Sequence, residues 1–431
     1  MNRRQFLNTS MSASFAGGQA ALAAPNNEKI QRAREAALKV LKPSPKDLEH
    51  GLELHANSIV IEPYGFSPRS APDGAAIRAA IEAGASEIEL QDLTEEMQMT
   101  RCVTDAAERA EYMQAWEAAG MTCIFQNAGE EGQDPLRLMK RLARFTFVTD
   151  MLGDFVKRGV EPEDIVAAKT GKKHCLFFIT NGVPIPEHWI SVEDELRYIR
   201  IFAQLGVKMM HLTYNRRNMI GDGCAEPANA GLSDFGRAVI AEMNRLGVIV
   251  DVAHSGWRTS LETAQASKSP MVASHSACAA LNKHIRSKPD EVIRAVADTG
   301  GFMGICAIPD FLGGRGDISA MLDHIDYVVK RFGVDHVGIG TDVGYSSRAS
   351  NAEYKKVPPR RRSRPAWEYF WPPGALASHP EQSLTMEWTN WPLFTVGLVQ
   401  RGYSDQDIQK IIGGNVLRVA RAVLPKKVTN L

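Results

Sequence analysis

Two apolar runs flank one short helical pattern in the stretch 247–276, GVIVDVAHSGWRTSLETAQASKSPMVASHS. Val248–Val252 is rich in β-branched residues, Pro270–Ala273 is the second run, and both predict buried parallel strands. Positions 257 to 266 between them carry helical periodicity, with Ser255 available as a cap. A right-handed crossover sets the two strands parallel, about 5 Å apart if adjacent, so His254 and His275 emerge at one carboxyl edge. Two convergent histidines there suit a metal site or an acid–base site.

The same alternation runs through most of the chain. After helical periodicity at 28–42, strands are expected at Ser58–Glu62, Glu87–Leu90, Thr122–Gln126, His174–Thr180, Val207–Thr213, Val248–Val252, Pro270–Ala273, Phe302–Ala307 and Val337–Gly340. Helical patterns fall between most of them, among them 193–204, 235–246, 290–298 and 318–332. Roughly eight strands alternating with helices, without an evident linker, predict a (β/α)8 TIM barrel. An open doubly wound sheet is the rival, but the G-x-G-x-x-G turn of its dinucleotide-binding form is absent. The pattern breaks over 345–390, a Pro-, Arg- and aromatic-rich insertion that would overhang the catalytic face as a lid or an oligomer contact. Its basic run Arg360–Arg362 would either meet anionic substrate groups or be solvated. Helical segments from Ser404 to Val423 end the pattern.

Charge narrows the partners. The 431 residues hold 50 Lys+Arg against 50 Asp+Glu, so no global electrostatic case exists for nucleic acid or an anionic membrane. Residues 1–24 read as a twin-arginine export signal: Arg3-Arg4, then a weakly apolar stretch, then Ala21-Leu22-Ala23-Ala24 as a cleavage site. This predicts a folded protein delivered to the periplasm, leaving 25–431 as a single barrel domain. No later window is apolar enough for a membrane span. The six cysteines show neither a disulfide framework nor a CxxC pair.

In a barrel of this type, chemistry is read from the carboxyl ends of the strands. Those ends supply Tyr64, Phe66, Asn181, Tyr214, Asn215, His254, His275 and Asp342. Neutral imidazoles at 254 and 275, with a carboxylate, could hold a metal that activates water. Asp342 in GTDVG is the best-placed carboxylate; Asp222 and Glu62 are weaker candidates, since Glu62 falls inside its strand.

Over these residues the chain resembles the membrane (renal) dipeptidase family of zinc peptidases. The matching stretches are LTYN (212–215), GLSDFGRAVIAEMNRLGVIVDVAHS (231–255), VASHSACA (272–279), HIRSKPDEVI (284–293), GGFMGI (300–305), HIDYVVKRFGVDHVGIGTD (324–342) and IIGGNVLRV (411–419). The resemblance implies a barrel of the metal-dependent hydrolase type, cleavage of small dipeptides at a two-zinc centre, and a homodimer. It places His254 and His275 on the ligands of one zinc, Arg286 on the arginine that binds the substrate carboxylate, and Asp342 on the proton-handling aspartate. Tyr214 stands where the family has a substrate-facing histidine. The family's His-x-Asp after the first strand is here Tyr64-Gly65-Phe66, and its metal-bridging glutamate is Asn181. An amide lacks the bridging charge and a phenyl ring cannot ligate. Tyr64 and Asn181 thus become candidate substrate contacts. The expectation is a dipeptidase-like hydrolase with one zinc at most, or none. The alternative is an altered barrel that binds or matures an exported peptide-derived metabolite.

Overall fold

The computed structural model describes residues 27–129, 134–359 and 367–426. Eight strands follow one another in parallel around the barrel: β1 (Ile61–Gly65), β2 (Cys123–Asn127), β4 (His174–Thr180), β5 (Val207–His211), β6 (Ile249–Asp251), β7 (Val272–Cys278), β9 (Phe302–Ile305) and β10 (Val337–Ile339). Two short strands lie off this path: β3 (Val156–Arg158) pairs with β4, and β8 (Ser287–Lys288) with β7. Residues of β2, β5 and β7 are buried on both faces, which is why apolar residues do not alternate with solvent-facing ones along them and why the polar residues they carry, such as His211 and His275, lie inside the barrel.

Helices cover the outside. Asp290–Asp298 buries Val292, Ile293 and Val296, and Ile318–Phe332 buries Ile325 and Val328, each leaving a polar face to solvent. One expectation is overturned: Glu87–Leu90 is the first turn of the helix Glu87–Thr104, not a strand. Ser86 and Glu89 form a capping box across that turn, and Ile88 is exposed, so the short apolar alternation has no core to face. The insertion is also more regular than its composition suggests, with short helices at Ser350–Tyr354, Trp367–Phe370 and Pro380–Thr385. Arg360–Arg362 and the residues of the export signal lie outside the described residues.

Between β10 and β1 the barrel is joined by a side chain. The buried Glu62 carboxylate accepts from Thr341 N at 2.6 Å, Thr341 Oγ1 at 2.9 Å and Trp391 Nε1 at 3.0 Å. It is therefore a structural acid rather than a site residue. Burial pushes its carboxyl up to about 8 even against these donors. Close approach also fixes two glycines. A Cβ at either Gly304 or Gly340 would lie 1.9 Å from the carbonyl oxygen of Ser274, the neighbour of His275.

Among the described residues no helix is long and apolar enough to cross a membrane, and all six cysteines are unpaired.

Candidate functional site

The mouth of the barrel opens into a pocket of about 560 Å³. Its floor includes Tyr64, Asn127, Asn181, Tyr214, His254 and Asp342, each at or just beyond a strand's carboxyl end. Sequence reasoning named five of these six. Asn127, the last residue of β2, was overlooked although it obeys the same strand-end rule.

His254 and His275 do converge. Their Nε2 atoms are 2.9 Å apart, with both rings buried. His254 Nδ1 lies 2.7 Å from Asn215 Oδ1, and His275 Nδ1 lies 2.8 Å from Ser274 Oγ. Because an amide oxygen only accepts, His254 carries its proton on Nδ1, His275 donates from Nε2, and Ser274 donates to His275; this assignment follows from the network. Burial, then the nearby Arg286 charge, holds both imidazoles well below the usual histidine range. Both are neutral at pH 7, and only His254 reaches the pocket wall.

Beneath them lies a pair that sequence reasoning missed. His211 ends β5, Asp251 ends β6, and the two are register partners. His211 Nε2 is 2.8 Å from Asp251 Oδ2 with both side chains fully buried. The contact is poorly directed: neither nitrogen of His211 nor Oδ2 of Asp251 makes a well-formed hydrogen bond. Asp251 Oδ1 is anchored by Ala253 N at 2.9 Å and Ser274 N at 3.1 Å. Burial opposes the Asp251 charge, but His211 and these donors hold its carboxyl below the usual range. The strand-end rule could have found both residues, had the last position inside each strand been counted as well as the first beyond it.

Among the described residues His211, Asp251 and His275 are the single group of three donors close enough for one ion, their ligand atoms all within 4.8 Å of one another. Two imidazoles and a carboxylate are a usual donor set for zinc, and the orphaned atoms of His211 and Asp251 suit it, whereas His275 would ligate only by giving up the Nε2 proton it shares with His254. The family's two-zinc centre does not fit. Tyr64 fills the space over His275, ring stacked on ring at 3.7 Å, while its hydroxyl donates to Asn181 Oδ1 at 2.6 Å and accepts from Asn127 Nδ2 at 2.9 Å. Phe66 lines the pocket wall beneath the Arg69 guanidinium.

The remaining candidates divide. Tyr214 stacks on His254 at 4.2 Å and meets Phe370 and Trp371 of the insertion edge-on, so the insertion does reach the pocket. Asp342 faces the pocket half-buried, with φ of 60°, a left-handed conformation that Asp tolerates better than most residues. Asp222 is committed to an ion pair with Arg217. Arg286 departs most from expectation. It is fully buried, absent from the pocket wall, and spent on the carbonyls of Ala253 and His275 and on His254 Nε2 at 3.2 Å. Lys288, also buried, donates to Val252 O at 2.7 Å and Ser255 O at 2.6 Å, clamping the turn that carries His254. Burial brings its ammonium down to about 7.

Comparison with known proteins bears on the family and the fold. Residues 88–356 match the membrane dipeptidase family, peptidase family M19. The chain is similar to dipeptidase tcpJ of Claviceps purpurea (29% identical over 231 residues, 52% of this chain and 47% of that protein). It is also similar to dipeptidase verJ of Clonostachys rogersoniana (30% over 229 residues, 52% of this chain and 50% of that protein). The matches thus span about half the length of these curated relatives. Among solved structures, an amidohydrolase from Pseudomonas aeruginosa superposes with a TM-score of 0.63 at 26% identity, covering 87% of this chain and 99% of that one. With the family match extending over more than half of its length, this chain belongs to the membrane dipeptidase family, peptidase family M19.

Proposed function

We propose that the protein is a dipeptidase-like hydrolase of small dipeptides or related amides, working with one bound cation at most. The observation that carries this reading is the pocket floor, where neutral His254 and the carboxylate of Asp342 face one cavity in a chain of this family. Asp342 takes a proton from the attacking water and returns it to the leaving amine, the two proton movements that amide hydrolysis needs. His254 is a fixed neutral ring at the cavity, its Nδ1 proton held by Asn215 and its Nε2 accepting from His275 and Arg286, so it shapes the floor beside the water that Asp342 activates. Asn127, Asn181 and the Tyr64 hydroxyl form a neutral polar wall that positions the amide. Tyr214 and the insertion cover the substrate and exclude water.

A cation held by His211, Asp251 and His275 would supply positive charge under the floor. That triad is buried behind Tyr64 and His254, a closed arrangement with no position open to substrate. The N-terminal signal, read from sequence, would deliver the protein to the periplasm, and a homodimer accords with the family.

The test is a dipeptide panel followed by product analysis. Release of free amino acids that is lost in Asp342→Asn supports hydrolysis. Saturable binding without cleavage across the panel would favour the alternative, a barrel that binds or matures a peptide-derived metabolite, to which the replacement of family ligands by Tyr64, Phe66 and Asn181 already lends weight.

A further inference from the structure

With Arg286 sealed beneath the floor, the pocket needs another receptor if its ligand carries a carboxylate. The outer wall offers one. The helix Glu87–Thr104 contributes Glu95, and the helix Pro135–Met151 contributes Arg141, both facing the cavity. Three guanidinium groups surround the single Glu95 carboxylate. Arg137 hydrogen-bonds it, Arg144 stands 3.6 Å away, and Arg141 stands 3.7 Å away, beyond hydrogen-bond reach.

The three differ in what else holds them. Arg144 is also bound by Asp92 at 2.6 Å and by Glu96. Arg141 is 8% exposed, and its Nε is buried with no hydrogen-bond partner. Among the described residues its guanidinium makes no hydrogen bond at all, and the loose pairing with Glu95 is its one charged contact. A buried guanidinium has five donors to satisfy, and leaving them empty is costly unless an anion arrives to take them. A carboxylate matches that planar fork with two parallel hydrogen bonds.

We propose that Arg141 receives the free carboxylate of the ligand, in place of the buried Arg286. This rests on the reading of the pocket as a dipeptide site, and it names the ligand class: peptides or peptide-like amides with an unblocked carboxylate.

Binding rather than turnover tests it. Acidic, basic and apolar dipeptides, each as free acid and as C-terminal amide, are titrated calorimetrically into the full chain, its Arg141→Gln variant and its Arg144→Gln variant. The expected preference for acid over amide in the unaltered protein is roughly 10- to 100-fold, the worth of a charged hydrogen-bond pair. Arg141→Gln removes that preference while leaving amide affinity unchanged, and Arg144→Gln keeps it. The proposal is overturned if no dipeptide binds better as acid than as amide, if Arg141→Gln retains the preference, or if Arg144→Gln erases it equally. An Arg141-dependent preference without any cleavage would sustain the proposal and remove the hydrolase reading, so the two fail separately.

Discussion

The two halves of the barrel mouth have been built from different chemistry. The half from β1, β2 and β4 carries Tyr64, Phe66, Asn127 and Asn181, all neutral, three of them bonded to one another. The half from β5, β6 and β7 carries His211, Asp251, His254 and His275, four titratable groups in mutual contact. In the first half Tyr64, Asn127 and Asn181 form a self-satisfied network, so little is gained there by admitting an ion. In the second the donors persist, yet three of them are covered by the first half's tyrosine and by His254. The contrast shows how one side of a barrel mouth can do without metal donors and open no void: a ring and two amides occupy the volume and meet each other's hydrogen bonds.

The largest effect should come where the halves meet over substrate. Asp342→Asn lowers the rate of dipeptide cleavage on the order of 10²- to 10⁴-fold, the usual worth of a positioned proton-transfer group. Asn tolerates the left-handed backbone at 342, so the thermal midpoint stays put. Steady-state kinetics beside a melting curve separates the two, and an unaltered rate would remove Asp342 from the chemistry.

Next comes the buried pair of the second half. Asp251→Asn removes the carboxylate beside His211 and leaves buried polar atoms without a partner, destabilising the fold by about 1–3 kcal/mol, read from denaturant titration. Elemental analysis of the same samples adds a second reading. A bound ion that disappears with Asp251→Asn but survives His254→Ala would place it on His211, Asp251 and His275.

In the first half the expected cost is no larger. Tyr64→Phe removes the hydroxyl between Asn127 and Asn181, orphaning two buried amide groups at about 1–3 kcal/mol. A stability change near zero would mean that water replaces the phenol and that the network is looser than its distances indicate.

The last effect belongs to neither half and is spread over pH. His55 and His174, outside the mouth, are held by burial from the ordinary 6.5 down to about 4. Between those values the unfolded chain binds more protons than the folded one, so stability falls as pH drops from 6.5 towards 4. Each group contributes up to ~1.4 kcal/mol per pH unit. Melting curves across that interval should show the decline, and a flat profile would contradict neutral burial of these two rings.

Much of this was legible from sequence for identifiable reasons. Long β-branched runs such as the one at 248–252 have a single stable use in an alternating chain, and the paired histidines follow them directly. The helix at Glu87–Thr104 was misread because a short apolar alternation looked like a strand, although Ser86 and Glu89 spelled out its cap. His211 and Asp251 escaped because a polar residue inside a strand reads as facing solvent, whereas the interior of a barrel can bury it at its end. The committed state of Arg286 was beyond any spacing argument. It depends on Ala253 and His275 turning their carbonyls toward one point, which only the folded backbone decides.

Gly304 and Gly340 carry a different lesson, about space. Both press against the carbonyl of Ser274, and so hold the strand that bears His275 in place through the absence of a side chain. An alanine at either would change no proton, charge or ligand, and yet would shift an imidazole. Substitution is therefore constrained at sites that a search for reactive groups would pass over, and the histidine's location is encoded as an empty volume.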